Sequence, residues 1–261
     1  MRLELDPGQI RLWCAFPSEI TDSRLLREYR SLLSEAEREQ EPRFYFARDQ
    51  LRYLVTRTLV RTVLSRYAPI APRDWVFETN SYGRPSIAND CPAARTISFN
   101  LTHTDGLIML AVGREHALGI DAENVVTRPV SVDMADKFFA ADEVTALRRL
   151  PQAKQPLRFM EYWTLKESYI KARGMGLSIP LDRFSFRFPH EEHIEIEIHP
   201  DQEDLPARWR FWQMRMGPQH VAAVCAERMQ STPPELPATR IVPLVSEHRL
   251  DYTVLRASGP D

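Results

Sequence analysis

The sequence predicts an α+β fold of two similar halves, each with helices packed against a mainly antiparallel sheet. Three observations support this prediction. Arg- and Glu-rich stretches have helical patterning, short apolar runs broken by Gly, Pro and Asn are typical of strands joined by turns, and helices followed by strands occur twice along the 261 residues. The letters show no clear repeat, so the duplication is inferred from the order of elements alone.

The first half is expected to span residues 1–114. Residues 22–67 are predicted to be helical with Pro42 as the break, and Ser34 followed by Glu37 gives an N-cap signal. The arginines of this region are spaced four or five residues apart and do not share one face, so solvated arginines on an amphipathic helix are the favoured interpretation. They are Arg43, Arg48, Arg52, Arg57, Arg61 and Arg66. Alternation at 97–101 and the apolar run 107–112 predict strands.

The second half is expected to span residues 115–227. A strand begins at 117–120, residues 132–150 are predicted to be helical, and a stronger helix over 157–173 should stop at Gly174. Further strands are predicted at 184–188, 194–198, 209–216 and 221–226. Residues 228–261 contain Pro233, Pro234 and Pro237 and are expected to form a tail outside the core.

Composition and charge favour a soluble protein that recognises its partners locally. The chain is 43% apolar with a formal net charge of only −2, so no general attraction to nucleic acid or acidic membranes is expected. Cys14, Cys91 and Cys225 lie far apart without a CxxC pair, which argues against a disulfide scaffold or a thiolate zinc site. No apolar run approaches the roughly 20 residues that span a bilayer, so we expect a cytoplasmic protein.

Asp121 and Glu123 are separated by one residue at the polar end of an apolar run. On a strand both carboxylates would point to the same face, where they repel each other unless a cation lies between them. Magnesium is a natural occupant because it takes oxygen ligands and keeps positions open for phosphate. The alternative is an exposed pair of acids that forms salt bridges with Arg or Lys. The motif by itself is therefore weak evidence for a metal site.

Glu167 and Lys171 lie four residues apart on the helix predicted at 157–173, and Trp163 lies four residues earlier. All three therefore fall on one stripe. A surface salt bridge is the ordinary interpretation of such a pair. The neighbouring aromatic residues and the glycine-rich end of the helix favour a functional site instead.

Candidate phosphate donors occur in two turns or strand ends. Asn100, Thr102 and His103 end a predicted strand and supply an amide, a hydroxyl and an imidazole, and Arg84 presents a guanidinium fork in a predicted turn. A structural histidine and an ordinary turn are the alternatives. Taken together with the three carboxylates and the lysine, these groups are the equipment of metal-assisted phosphoryl transfer.

Several blocks of the sequence resemble the 4′-phosphopantetheinyl transferases, in particular the larger monomeric class that modifies peptide, polyketide and lysine-pathway carrier proteins. The resemblance covers most of the chain, through residues 43–49, 82–85, 99–103 and 119–123. Its most specific block is 163–172, which is similar to the WxxKExxxKA signature of the family.

The resemblance implies a pseudo-twofold fold with coenzyme A and magnesium, or manganese, bound between the halves. The enzyme would transfer 4′-phosphopantetheine from coenzyme A to a serine of an apo acyl or peptidyl carrier protein and release 3′,5′-ADP. The metal ligands would be Asp121, Glu123 and Glu167, with Glu167 also helping to deprotonate the serine and Lys171 assisting the departing 3′,5′-ADP. The residues implied for coenzyme A are Arg84, Asn100, Thr102, His103, Arg48, Arg52 and Trp163.

The sequence departs from the family pattern in two ways. Thr102 stands where the family has a serine before the histidine, and it keeps the hydroxyl donor. The family often has basic residues near the 3′-phosphate where this chain has Glu37 and Gln40. Arg38, Arg43, Arg48 or Arg52 could replace them, and the sequence does not choose among these arginines.

Two other functions remain open at this point. An acidic pair followed by Glu and Lys also resembles metal-dependent nucleases, although the overall charge disfavours a nucleic-acid partner. The second alternative is a non-catalytic protein that binds coenzyme A or a carrier protein. The presence of both Glu167 and Lys171 argues against it. We expect a monomer without a nucleic-acid or membrane partner.

Overall fold

The helices and strands are taken from a computed structural model that describes residues 2–6, 8–127, 131–229 and 235–259. The helices are α1 (Ser23–Leu32), α2 (Glu35–Gln40), α3 (Ala47–Leu64), α4 (Pro92–Arg95), α5 (Ala135–Phe138), α6 (Ala141–Arg148) and α7 (Gln155–Arg173). The strands of the first half are β1 (Arg11–Ala15), β2 (Phe77–Thr79), β3 (Pro85–Ile87), β4 (Ile97–Thr104) and β5 (Leu107–Arg114). Those that follow are β6 (Leu118–Asn124), β7 (Phe184–Arg187), β8 (Glu195–Ile198), β9 (Trp209–Met216), β10 (His220–Glu227), β11 (Ala238–Val242), β12 (Ser246–Arg249) and β13 (Thr253–Ala257).

Two larger sheets organise these elements. The first has the order β12-β11-β1-β5-β4 and is antiparallel except where β1 pairs with β11. The second has the order β13-β9-β10-β6 and is antiparallel throughout. The predicted α+β class with two similar halves is confirmed.

The first half packs α3 against its sheet. Leu54, Leu59 and Val63 of α3 lie in one core with Ile108 and Leu110 of β5. The predicted N-cap is confirmed: the Ser34 hydroxyl accepts from the Glu37 amide at 3.3 Å, and the Glu37 carboxylate accepts from the Ser34 amide at 2.9 Å. The helical region is interrupted at Leu33 and at 44–46 as well as near Pro42.

The second half packs α7 against β6 and β10. The predicted end of α7 is confirmed, since Gly174 follows the last helical residue with a left-handed φ of 68°. The segment predicted as one helix at 132–150 divides into a 3-10 turn, α5 and α6, with extended backbone at Phe139 and Ala140. Among the described residues, no helix has the length and apolar character to span a membrane.

The prediction that the segment after Glu227 lies outside the core is wrong for residues 238–257. Strand β11 pairs in parallel with β1, and β13 pairs with β9, so this segment contributes to both sheets. Ala238 and Ile241 are buried, which shows that the segment supplies apolar contacts as well as strand pairing. The prolines misled the prediction because they precede the strands; Pro233 and Pro234 lie outside the described residues.

Candidate active site between the two halves

The two sheets meet where β4 lies beside β6. Side chains at alternate positions of β4 bond to β6: Asn100 accepts from the Ile120 amide at 3.0 Å, and the Thr102 hydroxyl donates to Asp121 Oδ1 at 3.0 Å. Farther along, the Thr104 hydroxyl donates to Glu123 at 3.2 Å. The structure therefore brings four of the sequence-predicted site residues, Asn100, Thr102, Asp121 and Glu123, into one seam.

Helix α7 crosses this seam at very short range. A Cβ atom on Gly119 would lie 2.0 Å from the Ser168 carbonyl oxygen and 2.5 Å from the Ala172 amide nitrogen, so only glycine lets the helix backbone approach β6 this closely. The close approach places Lys171 Nζ at 2.7 Å from Asp121 Oδ1 and 3.1 Å from the Ile120 carbonyl oxygen. The α7 residues thus face the carboxylates of β6.

Glu167 is affected electrostatically by both carboxylates. The pKa of Glu167 is raised to about 7, first by burial and then by the negative charges of Asp121 and Glu123. The positive charge of Lys171 acts in the opposite direction but does not cancel this rise. Asp121 is buried, and its Oδ2 atom has no hydrogen-bond partner among the described residues. A buried carboxylate oxygen without a donor is costly, so the groups around Asp121 satisfy it only in part.

No three His, Cys, Asp or Glu side chains converge closely enough to hold a metal ion anywhere in the described part of the chain. In this arrangement Lys171 supplies the positive charge that Asp121 requires. The carboxylates are near enough to shift the pKa of Glu167 but are not gathered into a closed ligand set.

A cleft of about 460 Å³ opens beside the seam. Asn100 and His103 of β4 and Lys171 of α7 line it on one side, and α3 lines the other through Arg52, Tyr53, Thr56 and Arg57. Desolvation and the nearby positive charge of Arg52 lower the pKa of His103, so its ring is neutral at physiological pH and offers one N–H donor.

Arg84 lines the cleft, but its terminal nitrogens are already engaged. Nη1 donates to the Lys171 and Ala172 carbonyl oxygens at 2.8 and 2.7 Å, and Nη2 donates to the Leu118 carbonyl oxygen at 3.2 Å. These bonds satisfy carbonyls in the last turn of α7 and tie that turn to β6. Burial lowers the pKa of Arg84.

The loop that carries Arg84 is also fixed to α7 by Asn80, a residue that the sequence reasoning missed. Asn80 Oδ1 accepts from the amides of Tyr82 and Arg84 at 3.0 and 2.9 Å, and its Nδ2 donates to the Gly174 carbonyl oxygen at 2.8 Å. An Asn at the first position of a four-residue turn that ends in Gly is the signal that could have identified it.

Three predicted binding residues do not line the cleft: Thr102, which is buried and bonds to Asp121, and Arg48 and Trp163. Arg48 is exposed, with its guanidinium 5.4 Å from the centre of the Phe46 ring. Trp163 packs into the second core, edge to face with Phe138 and stacked 6.2 Å from Phe159. The tryptophan therefore anchors the first part of α7 instead of lining the cleft.

The arginines of the first half divide into several roles. Arg43 and Arg48 are exposed, as expected for solvated arginines. The expectation of a solvated side chain is wrong for Arg61, which is 2% exposed and forms an ion pair with Glu37 at 2.7 Å. Glu37 therefore belongs to a structural ion pair. Arg57, which was not a sequence candidate for binding, lines the cleft beside Arg52.

Comparison with known families gives two adjoining matches. Residues 21–115 match the family model described as 4′-phosphopantetheinyl transferase, N-terminal, and residues 117–225 match the 4′-phosphopantetheinyl transferase superfamily. The chain is 35% identical over 198 residues to the 4′-phosphopantetheinyl transferase Sfp of Bacillus subtilis, which is 76% of this chain and 84% of the relative. It is 32% identical over 228 residues to the 4′-phosphopantetheinyl transferase HetI of a Nostoc species, covering 85% and 89% of the two chains.

Proposed function

Because the chain belongs to the 4′-phosphopantetheinyl transferase superfamily, we propose that coenzyme A binds in the cleft between the halves and reacts at the Asp121–Lys171 seam. The protein is a transferase enzyme that moves 4′-phosphopantetheine from coenzyme A to a serine of a carrier protein. The observation that carries the site assignment is that Lys171, which lines the cleft, lies among three acidic side chains, one of which has a pKa raised to about 7. The acyl and peptidyl carrier proteins are the proposed acceptors.

The reaction breaks a phosphoanhydride bond of coenzyme A and forms a phosphoester of serine. The serine oxygen bonds to the phosphorus that carries the pantetheine, and the bond from that phosphorus to the bridging oxygen breaks, so 3′,5′-ADP leaves. The serine proton must go to a base. We propose Glu167 as this base, because its carboxyl group faces the seam and its pKa is raised to about 7 in the metal-free protein.

Lys171 would neutralise negative charge on the departing 3′,5′-ADP. Its ammonium already lies at the seam, where Asp121 and the Ile120 carbonyl oxygen position it. Positively charged groups fixed beforehand near developing negative charge are effective because they need no reorganisation during the reaction. Thr102 and Asn100 hold β6 in place, and His103 offers a neutral donor to phosphate oxygen.

The residues of the seam supply the oxygen ligands that a divalent cation takes, and they would have to draw together around it on binding. Asp121 has a buried oxygen without a partner, Glu167 resists ionisation beside two other acids, and all three candidate ligands, Asp121, Glu123 and Glu167, supply oxygen atoms. Magnesium, or manganese, would withdraw charge from the diphosphate when bound. We further propose a cytoplasmic monomer without a nucleic-acid or membrane partner, consistent with the three unpaired cysteines and the small net charge.

The test is transfer to a panel of purified apo carrier proteins in the presence of coenzyme A and magnesium. Intact-mass spectrometry should show a phosphopantetheine adduct, and chromatography should show an equal amount of 3′,5′-ADP. A carrier whose target serine is replaced by alanine is the matched control. Absence of adduct on every carrier, with the protein folded and the cofactors intact, would refute the function.

A further inference from the structure

Helix α7 carries two side-chain pairs on opposite faces of its last two turns. Glu167 and Lys171 lie four residues apart on the face toward the seam. Tyr169 and Arg173 also lie four residues apart, and each follows a member of the first pair by two positions, or about 200° around the helix axis. The family signature specifies Glu167 and Lys171 but neither Tyr169 nor Arg173, so the second pair needs a separate explanation.

The second pair converges on one carboxylate oxygen, Oδ2 of Asp204. This oxygen accepts from the Tyr169 hydroxyl at 2.7 Å and from Arg173 Nη1 at 2.8 Å, and Arg173 Nη1 also donates to the Tyr169 oxygen at 2.9 Å. The indole Nε1 of Trp209, the first residue of β9, donates to the same Oδ2 at 2.7 Å. Asp204 therefore joins the end of α7 to β9.

The Asp204 carboxylate is enclosed by these donors, with its side chain only 2% exposed. Its other oxygen, Oδ1, accepts from the Leu205 amide at 3.0 Å and lies 3.7 Å from the Arg208 guanidinium. Hydrogen bonds to an ionised acceptor are stronger than those between neutral groups, and they strengthen further where water is excluded. The preceding residue, Glu203, has a left-handed φ of 48°, a strained conformation that persists only where the surrounding contacts enforce it.

The contacts of Asp204 bear on the reaction because they lie directly behind Lys171. This lysine is midway between Tyr169 and Arg173, and its Nζ lies 2.7 Å from Asp121 on the opposite side of the helix. Because the lysine stem is flexible, the position of its ammonium depends on where the helix backbone is held. A displacement of about 1 Å caused by a change far from the reacting atoms can cost about 10²-fold in rate.

We propose that Asp204 is a positioning residue for phosphopantetheine transfer, which holds the end of α7 through Tyr169 and Arg173 so that Lys171 meets the departing 3′,5′-ADP. The assignment rests on the proposed function, since it requires Lys171 to act at the seam. Asp204 is not among the residues that line the cleft, so it acts through the helix and not by contact with coenzyme A.

The test compares Asp204→Ala and Asp204→Asn with wild type in transfer assays at a temperature where all three are folded. Asp204→Ala should lower kcat by about ten- to a hundredfold with the KM for coenzyme A unchanged, as expected when a contact made only in the transition state is lost. Asp204→Asn keeps one acceptor oxygen and should fall between. In a Lys171→Met background, Asp204→Ala should cause less than about a twofold further loss, because its effect passes through Lys171.

Asp201→Asn is the matched control and should leave kcat unchanged. Asp201 lies in the same loop, contacts His199 and Gln202, and loses the same charge. A lower unfolding midpoint of Asp204→Ala with unchanged kcat, or an equal loss of kcat with and without Lys171, would overturn the assignment, since either result means that Asp204 only stabilises the fold. If Asp204→Ala does not fold, the same comparison on Tyr169→Phe decides, because that variant keeps the aromatic ring and removes one bond to Asp204.

Amide exchange of α7 separates this assignment from the proposed function. Faster exchange at residues 169–173 in Asp204→Ala, in a protein that modifies no carrier, would refute the function and leave the anchoring of α7 by Asp204 standing. Transfer by wild type with an unchanged kcat in Asp204→Ala would refute the assignment alone.

Discussion

Replacing Glu167 with Gln should stabilise the metal-free protein at pH 8 and abolish its activity. Burial and the neighbouring acids destabilise the ionised Glu167 in the fold and raise its pKa from 4.5 to about 7. That rise corresponds to about 3 kcal/mol at about 1.36 kcal/mol per pKa unit. The side chain is partly exposed, so solvent screening reduces the expected effect to about 1–2 kcal/mol.

The sign follows from proton binding. Between pH 4.5 and 7 the folded protein holds the Glu167 proton more tightly than the unfolded chain, so the free energy of unfolding falls as pH rises through this range. Gln stays neutral at every pH. The advantage of the variant should therefore be complete at pH 8 and mostly absent at pH 5, where the wild-type side chain is largely protonated in the fold.

The assay is urea denaturation of wild type and Glu167→Gln at pH 8 and pH 5 with a metal chelator present. Glu39→Gln, an exposed change of the same kind on α2, is the control and should have no effect. Magnesium should stabilise wild type more than Glu167→Gln, and transfer activity should fall by about 10²- to 10⁴-fold. Equal destabilisation by Glu167→Gln at both pH values would refute the idea that the fold destabilises the ionised Glu167.

Three further changes test how α7 is held. Lys166→Met removes the partner that lies 2.7 Å from the buried Glu143, so the free energy of unfolding should fall by about 3–5 kcal/mol in urea denaturation. Arg95→Met, which breaks an exposed ion pair, is the control and should lower it by less than about 1 kcal/mol. An equally small loss in both variants would mean that the buried pair does not stabilise the fold. Gly119→Ala should cost about 1–3 kcal/mol of unfolding free energy and reduce transfer by moving α7, and an unchanged melting temperature would contradict the close approach. Arg84→Gln should speed amide exchange in the last turn of α7 more than elsewhere, and uniform protection would argue against its capping role.

Local patterns predicted most elements because the signals are local. The Ser34 cap, the apolar run of β5 and the glycine that ends α7 each depend on neighbours within a few residues. The segment 238–257 failed for the opposite reason. Its strands β11 and β13 are defined by pairing with β1 and β9, which lie far away in the sequence. The local signal in this region is its proline content, which favours the end of the folded core instead.

The site was only partly predictable for a related reason. Alternation on one strand was enough to place Asp121 and Glu123 together, and helical spacing was enough to place Glu167 near Lys171. Which cations reach the cleft depends on long-range packing that no short pattern records. Arg57 was grouped with solvated arginines, and Arg84 was assigned to phosphate although backbone carbonyls hold it.

Four of the five specified residues of the helix signature show what each position requires of α7. Trp163 packs in the second core, and Lys166, with no exposed surface, joins the helix to Glu143 and to the carbonyl oxygens of Leu181 and Phe184. Ala172 lies against Gly119, where only a small residue permits the close backbone approach. These contacts leave Glu167 directed to the seam by a helix that is fixed along its length. An ionisable group can be kept at a raised pKa only if its surroundings cannot relax, because a mobile helix would let the carboxylate turn to water. The structural members of the signature are therefore as necessary to the proposed chemistry as its glutamate.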